Sequence, residues 1–227
     1  MVEADSDTAD AAVLTVTVAG EQLELWPGRA AYWPRRQTLL LADPHFGKAG
    51  VFRRRGVPLP RGTTGGDLHR LAWLLQRTGA RRLMVLGDFL HAAPLATEPW
   101  LREWSAWREQ HGDVAIHVVA GNHDQGGAPA DLDIQWHHEA LVRDPFVLAH
   151  EPEPDPRGYV LAGHLHPVFT LRGGGDRLRF PVFWFREAVA VFPAFGAFTG
   201  GHGVEPGSGD RVFAAGETAL VDCTARR

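Results

Sequence analysis

The chain has 227 residues, 44% of them hydrophobic and 22% charged, which is long enough for one sizeable core and within the range of single α/β or all-β domains. Its net charge of -4 excludes a protein that coats nucleic acid through overall charge, though it leaves room for a local basic groove. One cysteine, Cys223, rules out an internal disulfide, and no apolar run approaches the roughly 20 residues of a membrane-crossing helix, so a reducing compartment, the cytoplasm, is expected.

Residues 1 to 11 form an acidic lead with little to bury, expected to be disordered, and show no signal-peptide pattern. Residues 12 to 227 are expected to fold as one domain. Alternating Val, Thr and Leu from Val13 to Val18, then Gln22 to Trp26 after Ala19-Gly20-Glu21, predict a hairpin. Strands follow at 30 to 33 and 37 to 42; the second is a continuous apolar run, as in a strand buried on both faces, and it ends at Asp43-Pro44-His45.

Between Asp43 and Asp67 there is no acidic residue, yet Lys48, Arg53, Arg54, Arg55 and Arg61 all lie there, with Gly and Pro punctuation that predicts a long irregular segment. All but one of the 23 Lys and Arg residues are arginine, and the exception, Lys48, falls in this segment. Leu68, Leu71, Ala72 and Leu75 have helical spacing, predicting a helix over 67 to 78 that Gly79 ends. A strand at 82 to 86 runs into Gly87-Asp88-Phe89-Leu90-His91. A second helix is predicted from an N-cap at Thr97 to about His111, with Trp100, Leu101, Trp104 and Trp107 inward. The strand at 114 to 120 then delivers Gly121-Asn122-His123-Asp124. Polar residues thus stand at the carboxyl end of each strand in a run of βαβ units, where open α/β sheets bind ligands.

From about 132 onward no helix is predicted. Short strands are suggested at 132 to 136, 145 to 149, 159 to 163, 167 to 172, 178 to 185, 188 to 192 and 211 to 222, forming a β layer packed on the first half. Residues 151 to 156 read as a stiff Pro-rich connector, and 173 to 175 and 196 to 209 as Gly-rich loops.

Five polar clusters follow apolar strands: Asp43-Pro44-His45, Gly87-Asp88, Gly121-Asn122-His123-Asp124, Ala149-His150 and Gly163-His164-Leu165-His166. They carry Asp, Asn and His without Cys, a donor set suited to Mn, Fe or Zn in an oxygen and nitrogen cage. Two metals about 3.5 to 4 Å apart need some seven or eight ligand atoms and a bridging carboxylate, a number these clusters supply.

The order D-x-H, GD, GNHD, H and GHxH resembles the calcineurin-like metallophosphoesterase superfamily. That resemblance implies a four-layer αββα sandwich. It also implies one metal on Asp43, His45, Asp88 and His166 and another on Asp88, Asn122, His150 and His164. Asp88 would bridge them, and a hydroxide between the metals would attack phosphorus. His123 would donate a proton to the leaving oxygen, oriented by Asp124. His91 is either a residue that orients a ligand or a surface residue.

A narrower resemblance rests on Leu41-Ala42-Asp43-Pro44-His45-Phe46-Gly47-Lys48, Phe52 to Pro60, Gly62-Thr63-Thr64 and Pro193 to Gly201, which are similar to the bacterial ligase-associated DNA damage response endonucleases. It implies a manganese-dependent phosphodiesterase that incises single-stranded DNA, associated with a large helicase and a DNA ligase. The basic segment fits such a substrate: Lys48, Arg53, Arg54, Arg55 and Arg61 could hold a phosphate backbone, with Phe46 and Phe52 stacking on bases, or the Arg run could be a solvated face. A small-molecule or nucleotide phosphodiesterase and a non-catalytic protein-binding scaffold are the competing functions.

Overall fold

The computed structural model describes residues 12–57, 63–126, 130–173 and 176–224. The acidic lead at 1 to 11 lies outside them. β1 (Leu14–Val18) and β2 (Glu21–Trp26) form the expected hairpin. Val16 and Val18 are buried while Thr15 and Thr17 are exposed, and the turn residues Ala19 and Gly20 both have positive φ, the twist a two-residue connection needs. β3 (Ala30–Trp33) pairs antiparallel with β2, and β4 (Thr38–Leu41) with β3. Every residue of β4 is buried, as expected for a leucine run inside a sheet.

From β4 onward this sheet is parallel. α1 (Lys48–Arg54), α2 (Thr63–Thr78), β5 (Arg82–Leu86), α3 (Pro99–Gln110), β6 (Ala115–Val119) and β7 (Gln135–His137) follow in the chain. β4, β5, β6 and β7 lie side by side, with α2 and α3 in the first two crossovers. α2 buries Leu68, Leu71, Leu74 and Leu75 along one stripe and stops at Gly79, whose φ of +65° closes the helix in the left-handed conformation. α3 buries Trp100, Trp104 and Trp107, and the Trp104 indole N–H donates to the Leu132 carbonyl at 3.0 Å. Both helices cover one face of the sheet over Leu39, Leu41, Val85, Ile116 and Val118.

The second sheet contains β8 (Leu141–Arg143), β9 (Phe146–Leu148), β10 (Tyr159–Ala162), β11 (Pro167–Gly173), β12 (Asp176–Phe185), β13 (Val189–Val191), β14 (His202–Gly203), β15 (Arg211–Ala215) and β16 (Leu220–Asp222). β9, β10 and β13 run parallel at its centre. The sheets face each other across Leu23, Leu40, Leu86, Phe146, Phe183 and Phe192. Two sheets flanked by helices make the α/β sandwich expected from the sequence. Among the described residues the α-helices all come from the first half of the chain, and no helix is long and apolar enough to cross a membrane.

The departures from expectation are local. The segment after Asp43 is not wholly irregular: α1 forms at Lys48–Arg54, where Gly47, with φ +82°, turns the chain into the helix and Arg54 is fastened to Glu98. The N-cap of α3 is Glu98 and not Thr97. Its carboxylate is spent on other partners, accepting from the Trp100 indole N–H and pairing with Arg54 of α1. The strand expected from 132 begins at Gln135, after a short 3-10 turn. β8 and β14 are additional strands, and the run from 211 to 222 is a hairpin whose turn is closed by the Gly216 N–H on the Ala219 carbonyl.

At one edge of the sandwich, His117 of β6 and His137 of β7 stack with planes 16° apart and ring nitrogens 3.2 Å apart. Burial lowers the pKa of both, His137 adds to the shift of His117, and Arg143 acts on each in the same sense. The fold therefore favours their neutral forms. That stabilisation is complete above the unfolded-state pKa of about 6.5 and declines as pH falls toward the lowered folded-state values. Denaturant midpoints should drop between pH 7 and pH 5, and His137→Gln should flatten that decline.

Candidate metal centre

The carboxyl ends of the central parallel strands in both sheets open on one edge, and the polar clusters sit there. β4 leads to Asp43 and His45, β5 to Asp88, and β6 to Asn122 and His123. From the second sheet, β9 leads to His150 and β10 to His164 and His166. The edges are tied directly: the Phe195 N–H donates to the Ala42 carbonyl at 2.7 Å.

Asp43, His45, Asp88 and His166 offer ligand atoms that all lie within 4.8 Å of one another. His45 Nε2 is 3.3 Å from His166 Nε2 and 3.8 Å from Asp88 Oδ2. The other oxygen of Asp88, Oδ1, lies 3.6 Å from His150 Nε2. That nitrogen is also 2.9 Å from Asn122 Oδ1 and 3.0 Å from His164 Nδ1. The seven side chains singled out as ligands thus fall into two sets that share Asp88, one carboxylate oxygen facing each set.

Backbone contacts hold this arrangement. The His164 N–H donates to Asp43 Oδ2 and the His123 N–H to Asp88 Oδ1, each at 2.9 Å. Five of the nine non-glycine residues with positive φ among the described residues are Asp43, His45, Asp88, His164 and His166. Such strained backbone persists only where the surroundings over-determine it, and it concentrates at functional sites. The flanking glycines are dictated by contact: a Cβ on Gly163 would lie 2.5 Å from Asp43 Oδ2, and one on Gly121 would lie 2.2 Å from Asp88 Oδ1.

These residues fit divalent cations. Asp43 is fully buried, and burial raises its carboxyl pKa, so its charge calls for a compensating cation. Asp43 Oδ1 and His45 Nδ1 are buried without a hydrogen-bond partner among the described residues, and the donors are all oxygen or nitrogen.

His123 lies beside both sets. Its Nδ1 is 2.8 Å from the His91 carbonyl, its ring stacks on the His91 ring at 5.0 Å, and His45, His91 and His123 form a compact imidazole group. Asp124 plays a different part from the one expected. Its carboxylate accepts the N–H groups of Phe89, Leu90 and Gly121, stapling the loop after β5 to the loop after β6. The partner that orients His123 is a carbonyl on the neighbouring loop, which residue spacing could not reveal.

Of the basic residues, Lys48 faces this cluster: burial lowers its pKa, Asp88 opposes that shift, and its charge helps depress His45 to about 2 and His91 to about 4, after burial. Arg55 acts on His91 in the same sense, whereas Arg54 turns to Glu98. Arg61 lies outside the described residues. Phe52 packs beside His91 with ring centroids 5.8 Å apart, but Phe46 is 2% exposed and packs against Phe89, Trp100 and Trp104, so it cannot stack on a substrate base.

Residues 37–187 match the family model described as calcineurin-like phosphoesterase. The chain belongs to the calcineurin-like phosphoesterase family. It is therefore a metal-dependent phosphoesterase, and the clusters at the strand ends are its candidate metal centre. Among solved structures it is similar to the Pseudomonas putida nuclease MPE, with 42% identity and a TM-score of 0.82 over 92% of this chain and 100% of that one. No curated protein matches.

Proposed function

We propose that this calcineurin-like phosphoesterase is a nuclease that hydrolyses phosphodiester bonds of single-stranded DNA with two divalent cations, manganese foremost. The observation that carries the reading is the convergence of two ligand sets on Asp88, with the cationic helix α1 starting three residues after His45. The likeness to the Pseudomonas putida nuclease supports a nucleic-acid substrate. The motif resemblance at 41–48, 52–60 and 193–201 supports a role in DNA repair beside a large helicase and a DNA ligase, and the single cysteine fits a reducing compartment such as the cytoplasm.

In this reading Asp43, His45, Asp88 and His166 hold one cation and Asp88, Asn122, His150 and His164 the other. Bound cations of this kind lower the pKa of water and neutralise charge that builds on phosphoryl oxygens. His123 supplies the proton for the leaving oxygen. With Nδ1–H donated to the His91 carbonyl, its Nε2 is free to carry that proton. Lys48 at the cluster, Arg53 on α1 and Arg55 just past its end contact flanking phosphates. Arg54 contributes mainly by fastening α1 to Glu98.

The deciding experiment incubates the chain and manganese with labelled single-stranded DNA, the matching duplex, a small chromogenic phosphodiester and a phosphomonoester. Preferential cleavage of the single strand supports the reading, and hydrolysis of the small esters alone sinks it. Replacing Arg53 and Arg55 together by Ala should weaken DNA cleavage more than small-diester hydrolysis. It should also flatten the logarithmic salt dependence of DNA affinity by about 1.4, the value for two lost single-strand phosphate contacts.

A further inference from the structure

Phe198 is the one aromatic among the large apolar side chains exposed among the described residues, at 45%. It stands on the loop after β13, within the Pro193 to Gly201 motif that the metal chemistry does not use. That loop is firmly held. The Arg29 guanidinium donates to the Ala194 and Gly196 carbonyls, and Arg70 donates to the Phe195 carbonyl with its guanidinium 4.2 Å from the Phe195 ring. The Ala197 N–H reaches Asp67, and a Cβ on Gly196 would meet the Pro44 carbonyl at 2.5 Å, so the loop presses on the turn that carries Asp43 and His45.

Phe198 lines a cleft together with His45, Lys48, Thr63 and Thr64. An exposed ring on a rigid base serves no core, and the residues beside it, Ala197, Gly200 and Gly201, add no further large apolar surface for a protein partner. What adjoins it instead is a cation, Lys48, and one candidate metal ligand, His45, while the Asp67 carboxylate in the same cleft is paired with Arg70. The ligand these features suit has an anionic group and a flat apolar face side by side, as one nucleotide does.

We propose that Phe198 is a stacking platform for a nucleobase next to the scissile phosphate, and that it confers preference for single strands. A base can lie on the ring only if it has left the duplex stack, so paired DNA forgoes the contact. The inference rests on the nuclease reading above and adds the residue that selects the substrate.

The test compares the full chain with Phe198→Ala and Phe198→Trp, in manganese, on single-stranded DNA, the same sequence as duplex, and bis(p-nitrophenyl) phosphate. Phe198→Ala should raise KM for the single strand about tenfold relative to any change on the small diester, with kcat little altered, and narrow the single-strand preference by the same factor. Phe198→Trp should restore the KM. If the parent chain cleaves the small diester but not single-stranded DNA, the nuclease reading falls and the platform with it. If the parent cleaves the single strand and Phe198→Ala leaves KM unchanged, or lowers both substrates equally, the platform alone is overturned.

Discussion

Asp88→Asn is expected to remove metal-dependent hydrolysis while leaving the fold in place. The two side chains are nearly isosteric, and the substituted amide would keep a carbonyl oxygen to accept the His123 N–H that Asp88 Oδ1 takes at 2.9 Å. What disappears is the negative charge set between two groups of ligands, one oxygen 3.8 Å from His45 Nε2 and the other 3.6 Å from His150 Nε2. Several kcal/mol of transition-state stabilisation depend on cations held there, so turnover of a small phosphodiester should fall by about a thousandfold or more. Metal content should fall alongside it. Normal turnover and two bound manganese ions in the variant would refute the shared role of Asp88.

Gly87→Ala should be nearly as damaging by a purely steric route. A Cβ on Gly87 would lie 1.8 Å from His150 Nδ1 and 2.3 Å from Cγ, and φ there is +86°. The clash is with an imidazole ring that is 6% exposed, so the ring cannot swing aside and still face Asn122 and His164. The expected result is loss of one of two metals and a drop in activity of at least about a hundredfold. Gly20→Ala is the matched control. Its φ is +81° and nothing lies within 4 Å of the added carbon, so it carries a comparable backbone penalty of about 1 kcal/mol far from the strand ends. A folded Gly20→Ala with full activity beside an inactive, metal-depleted Gly87→Ala locates the effect at His150. Equal activity in both would mean that His150 is dispensable.

Much of this was legible in the sequence, for a physical reason. Hydrophobic runs give away strands, and polar residues at the carboxyl ends of parallel strands must gather on one edge, so Asp43, Asp88 and Asn122 could be brought together before any coordinates. His150, His164 and His166 of the second sheet joined them only through the family resemblance that the order of the motifs carries. Three things were hidden. Helix α1 escaped because Gly47, Gly50 and Gly56 read as loop, while packing against Glu98 and Trp100 holds the segment helical. The role of Asp124 escaped because a carboxylate next to an imidazole in sequence need not face it, and backbone amides from another loop were the better partners. Phe46 looked available to a substrate only because burial depends on what the fold lays over it, here Phe89 and two tryptophans.

The division of the ligands between the two sheets bears on how the protein comes into being. His45 and His166 meet across a sequence separation of 121, and no stretch of chain short of the whole sandwich brings them together. The entropy of closing so long a loop is offset by the apolar interface between the sheets. Cations held by both halves at once, with no comparable grip on the unfolded chain, would act as a clasp, and part of their binding free energy would return as resistance to separation of the sheets.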